Sequence, residues 1–148
     1  MQRKPGWSLQ HASILRLVVV AAVAGAITGV VSETFGLLVA DAGRERTSFV
    51  RWAHSFSGIG LVLVLTGASV VVGIAAWLVN RVEPHAEGSG IPRVEAVVEG
   101  RAEPGRLRIL PVKYVGGLLA IGGGLALGRE GPLVQMGGVI AAQCARVA

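Results

Sequence analysis

The chain has 148 residues, 52% of them hydrophobic and only 16% charged, with 22 glycines, one cysteine and a net charge of +5. So apolar a composition excludes intrinsic disorder, which needs low hydrophobicity and high net charge, and it does not fit a soluble globule, in which roughly 25% of residues are charged. Nor does the positive charge mark a nucleic-acid binder, because the 14 basic residues punctuate apolar runs and form no patch interleaved with aromatics.

What fits is an all-α membrane protein, embedded in a lipid bilayer, whose glycines let helix backbones approach closely. Residues 14–40 form a largely apolar run whose only charges are Arg16 and Glu33. That run exceeds both the ~20 residues that cross a bilayer and the roughly 7–15 of a secretory signal, so a retained membrane helix is expected. Residues 55–79 form a second, uncharged run, closed by Asn80 and Arg81. Trp7, Trp52 and Trp77 fall near the ends of these runs, as interfacial anchors do.

The pattern then breaks. Pro84, Pro92, Pro104 and Pro111 punctuate residues 81–113, and a short amphipathic helix is expected over about 92–100. A broken pair follows, over about 107–128 and 131–146, interrupted by Arg129 and Glu130. Short apolar runs divided by charge, glycine and proline read as discontinuous membrane helices, which are tolerated only where they line a protein-enclosed cavity. Orientation follows from loop charge: Arg3, Lys4, Arg81, Arg93, Arg101, Arg106, Arg108 and Lys113 on one side outnumber Arg44, Arg46 and Arg51 on the other. This bias predicts a multi-pass protein with a cytoplasmic N-terminus.

Two segments carry candidate chemistry. In Gly88-Ser89-Gly90-Ile91-Pro92 the glycines admit close backbone approach and the proline suits a first helical turn. Such a start offers free amides and a positive dipole end to an anion, with the Ser89 hydroxyl as a further donor; a plain helix-entry turn is the alternative. Gly128-Arg129-Glu130-Gly131-Pro132 repeats the logic, with a carboxylate at the anion-favouring end. An ionisable group between apolar runs is a functional candidate, against the alternatives that Glu130 caps its helix or pairs with Arg129. Ionised, Glu130 can occupy an anion's place; protonated, it loses that attraction, so one side chain could couple proton and anion occupancy.

The weaker candidates have structural explanations. The glycines at 123–128 lack the Lys-Ser/Thr pair of a phosphate loop. His11, His54 and His85 are too dispersed to form a metal site. Gly25-x-x-x-Gly29 and Gly124-x-x-x-Gly128 fit close helix packing. Cys144, alone in an apolar run, is expected to be an inert thiol. No nucleophile or metal cluster supports an enzyme, and no cofactor is expected.

GSGIP at 88–92, GREGP at 128–132, and the glycine-rich stretch from ILPVKYVGG to VQMGG over 109–138 resemble the CLC chloride channel and proton/chloride antiporter family, especially its bacterial members. The resemblance is firm from about residue 74 to 138. It implies a partial CLC fold, the first part of an inverted-repeat helical membrane domain with the second repeat absent from 1–148, in a homodimer with one anion pathway per subunit. It implies chloride as the substrate, an inner (plasma) membrane location and proton-coupled antiport by the parent protein. The alternatives are a channel, or a truncated nonfunctional or accessory membrane fragment. Residue by residue it makes Ser89 the chloride-coordinating hydroxyl and Glu130 the protonatable gate. Gly88, Gly90, Ile91 and Pro92, with Gly128, Arg129, Gly131 and Pro132, become the anion cradle. It also offers Glu95, Arg108 and Lys113 as a structural ion-pair network. Leu133 departs from the family's usual Thr or Ser, which removes a possible capping hydroxyl without touching the gate.

Overall fold

The computed structural model describes the backbone of residues 7–56 and 58–147, and side chains from residue 14 onward. Arg3 and Lys4, which contribute to the expected orientation, lie outside these residues, as do the side chains of Trp7 and His11. The described residues form α1 (Trp7–Ala53), α2 (Ile59–Val82), a 3-10 turn (Pro84–Ala86), α3 (Ile91–Val98), α4 (Ile109–Gly122) and α5 (Glu130–Val147). No strand occurs among them.

α1 does not stop where its apolar run does. The expected span 14–40 is part of a 47-residue helix, about 70 Å long at 1.5 Å per residue, and the expected loop with Arg44, Arg46 and Arg51 is helical. The reason is local: α1 contains no proline, Arg44 pairs with Asp41 one turn away, and the Thr47 hydroxyl donates to the Gly43 carbonyl at 2.8 Å. α2 runs over 59–82, against the expected 55–79, and the Glu83-Pro84 step ends it, because the residue before proline is driven out of the helical region. Among the described residues, α1 and α2 are the two helices long and apolar enough to cross a membrane. Their large side chains face outward: Leu17 is 68% and Leu61 67% exposed. A soluble protein would not leave so extensive an apolar surface in water.

α3 spans 91–98 where 92–100 was expected, closed by Gly100 at φ 71°. The first half of the broken pair is shorter than the expected 107–128, since α4 ends at Gly122. Gly122-Gly123-Gly124 weakens the helix there, and Gly124, at φ 107°, cannot continue it. At 14 residues, α4 is only about 21 Å long, too short to cross the roughly 30 Å hydrocarbon core.

Packing fixes the depth of these short helices. Gly116 of α4 lies against Val79, near the end of α2, and Gly123 lies against Val71 and Val72 at the middle of α2. α5 runs back the other way: Gly131 touches Ser89, Gly138 meets Val94 of α3, and the Gln143 side-chain amide donates to the Gly105 carbonyl at 3.2 Å. A small core of Ala86, Ile109, Val112 and Val139 locks the 3-10 turn, α4 and α5 together, with Leu78 and Val79 of α2 packed on it. Phe35 of α1, fully buried, meets Tyr114 of α4 edge-on at 5.3 Å between ring centroids.

Candidate functional site

The segments at 88–92 and 128–132 are brought into contact. Gly131 sits so close to Ser89 that a Cβ at 131 would lie 2.8 Å from the Ser89 carbonyl oxygen and 2.9 Å from its Cα. Only glycine permits this approach. Between the segments lies a cavity of about 640 Å³, walled by Val72, Ala75, Ala76, Val79 and Asn80 of α2 and by Gly116, Gly117 and Ala120 of α4. It therefore stands beside the C-terminal half of α2. Of the cradle expected from sequence, Gly88, Ser89, Ile91, Gly128, Glu130, Gly131 and Pro132 line this cavity.

Three expected residues do not. Gly90, at φ 75°, is the buried N-cap of α3, and a Cβ there would overlap the Gln135 side chain behind it. Pro92 is exposed on the first turn of α3. The Arg129 guanidinium turns away from the cavity to Gly36 of α1.

The start of α5 leaves donors free. Pro132 has no amide hydrogen, and the first α5 amide to find a helical acceptor is that of Leu133, bonded to the Arg129 carbonyl at 3.2 Å. The amides of Glu130 and Gly131 have no acceptor within their own helix. The Glu130 side chain folds back over Gly128, where a Cβ would overlap its Oε2. The carboxylate thus lies at the positive end of its own helix. On the facing segment the Ile91 amide donates to the Ser89 hydroxyl oxygen at a long 3.4 Å.

The expected ion-pair network does not form. Glu95 and Arg108 are exposed, and the only ion pairs among the described residues are Arg44 with Asp41 and Arg101 with Glu99. α3 turns Val94 toward α5, and the adjacent Glu95, about 100° further round the helix, is left exposed. Lys113 alone of the three is buried, at 5% exposure. Its ammonium donates to the Ala86 carbonyl at 2.9 Å and to that of Gly88. These neutral acceptors take two of its three hydrogens without cancelling its charge, so a cation uncompensated within 4 Å forms part of the cavity wall.

Sequence reasoning missed Gln135. It is 1% exposed, and its Nε2 donates to the His85 carbonyl at 2.8 Å. Lys113 from α4 and Gln135 from α5 thereby hold the 85–88 backbone on both sides of the bend leading to Ser89. A polar side chain one helical turn after Gly131, in a largely apolar run, is the signal that could have found it.

This arrangement brings a serine hydroxyl, the amides of one helix start, a buried cation and a carboxylate to one cavity. A model of voltage-gated chloride channels matches residues 71–148. An H(+)/Cl(-) exchange transporter of Vibrio parahaemolyticus serotype O3:K6 is 40% identical over 129 residues, covering 84% of this chain and 27% of the relative. Exchange transporters of the same name from Vibrio vulnificus strain YJ016 and Yersinia pestis bv. Antiqua strain Angola are 36% and 35% identical, over 89% and 84% of this chain. The chain spans about a quarter of the length of these curated relatives.

Proposed function

The chain belongs to the voltage-gated chloride channel family, and from that premise we propose that it forms the anion-binding part of a membrane transporter that exchanges chloride for protons. One observation carries the reading: Ser89 and Glu130, 41 positions apart in the sequence, line one cavity together with an unneutralised Lys113.

Each group has a role in this reading. Ser89 accepts from the Ile91 amide, which orients its hydroxyl and leaves the O–H hydrogen to donate to chloride. The amides of Glu130 and Gly131 and the field of Lys113 complete the seat. Ionised Glu130 occupies that seat as an internal anion. Protonation removes its charge, the attraction of the dipole and the ammonium passes to chloride, and the neutral side chain moves aside. Occupancy of the seat is thereby linked to the proton at Glu130 Oε, and exchange follows when that proton arrives from one face and leaves to the face from which chloride entered, the returning carboxylate expelling chloride to the other. The names of the relatives, all exchange transporters, favour exchange over a passive channel. The expected setting is an inner membrane, with a cytoplasmic N-terminus and a homodimeric assembly.

The test is transport by the gene's full product in lipid vesicles. An outward chloride gradient is expected to drive protons inward against no other force. Chloride flux without proton movement would establish a channel, and absence of chloride flux from correctly folded protein would refute the reading.

A further inference from the structure

The cavity holds a second carboxylate that the reading above does not use. Glu87 lines it together with Ser89, Lys113 and Glu130. Its backbone is fixed from two directions: its amide donates to the Pro84 carbonyl at 3.1 Å, and the Lys113 ammonium bonds the carbonyls of Ala86 and Gly88, the residues immediately before and after it. The cation of the anion seat is thus clamped under the peptide units that carry Glu87.

We propose that Glu87 is a proton-sensitive regulator of the anion seat: ionised, it draws on the field of Lys113 and weakens chloride binding; protonated, it leaves that field to chloride. The proposal rests on the cavity being a chloride site. It concerns a different group from the gate, because Glu87 is anchored on the facing segment and does not belong to the helix start that Glu130 closes.

The charges around Glu87 support this division. α4 presents Lys113, α5 presents Glu130, and α2 presents the uncharged Asn80. On its own segment, Glu83 is buried at the end of α2, and the His85 ring meets the Arg93 guanidinium at 3.3 Å. No cation lies within 4 Å of Glu87 among the described residues, so no salt bridge consumes its charge. Glu87 is exposed within the chain, and two like charges drawing on the field of one cation oppose each other, the more weakly the more solvent screens them. Linkage then fixes the sign: chloride favours the protonated form of Glu87, so its affinity rises as pH falls, and chloride binding takes up protons.

Because Glu130 is itself the proposed gate, the test is made in a Glu130→Gln background of the gene's full product, with chloride as the titrant in calorimetry. That variant is expected to bind chloride roughly three- to tenfold more tightly near about pH 4.5 than near about pH 7.5, the scale of one partly screened charge. Adding Glu87→Gln is expected to give the tight, low-pH affinity at both values, whereas adding Glu87→Asp keeps the pH step. A pH step that survives Glu87→Gln, or no step in Glu130→Gln alone, overturns the role of Glu87 while leaving the chloride site standing. Absence of chloride binding in every folded variant, wild type included, overturns the chloride site itself.

Discussion

Glu130→Gln in the gene's full product is expected to abolish chloride-driven proton movement, by at least about tenfold, while chloride continues to flow. The amide has nearly the shape of the carboxyl group but carries no charge at any pH. It therefore stands permanently in for the protonated gate, losing the attraction that helix start and Lys113 exert on the carboxylate. Chloride flux through this variant is expected to lose the part of its pH dependence that comes from the gate. Vesicle assays with a pH electrode and a chloride electrode read both quantities together. Wild-type proton coupling in Glu130→Gln would remove Glu130 from the mechanism.

The second large effect is expected at a residue with no side chain. In Gly131→Ala the new Cβ meets the Ser89 carbonyl oxygen at 2.8 Å and the Ser89 Cβ at 3.0 Å. The obstacle is chiefly backbone, which cannot rotate away as a flexible side chain would. The two segments must separate, at a cost of about 1–3 kcal/mol typical of overpacking, and the hydroxyl and amides no longer converge. Chloride affinity is expected to fall by about tenfold or more, with a lowered Tm. Gly73→Ala, where a Cβ meets nothing within 4 Å, is the matched control expected to change neither. Unchanged chloride affinity in Gly131→Ala would show that the contact between the segments does not build the site.

Legibility in the sequence tracks the range of the interactions involved. The helix starts at Ile91 and Glu130 are short-range matters of glycine and proline, and both segments could be read as helix entries that offer amides to an anion. Gly124 reads in the sequence as a packing residue, although it also ends α4, because positive φ is a property of the folded backbone and not of residue type alone. The extension of α1 to Ala53 was hidden by hydropathy, which reports solvent preference and not helicity. Contacts between distant side chains and backbone were the least legible. Lys113 was expected to pair with carboxylates, yet it holds carbonyls 25 and 27 residues away, and Gln135 reaches one 50 residues away. Glu95 is displaced from its expected partner by the apolar face of its own helix, which turns Val94 inward and leaves the carboxylate outside.

The most direct measurement is where a heavy halide binds. Crystals of the gene's full product grown in bromide, measured at the bromine absorption edge, are expected to show an anomalous peak in the cavity within hydrogen-bonding distance of the Ser89 hydroxyl. In Glu130→Gln a further peak is expected where the carboxylate had been, beside the amides of Glu130 and Gly131. A peak at neither position at saturating bromide, with ordered density for both segments, would contradict an anion seat shared between Ser89 and Glu130.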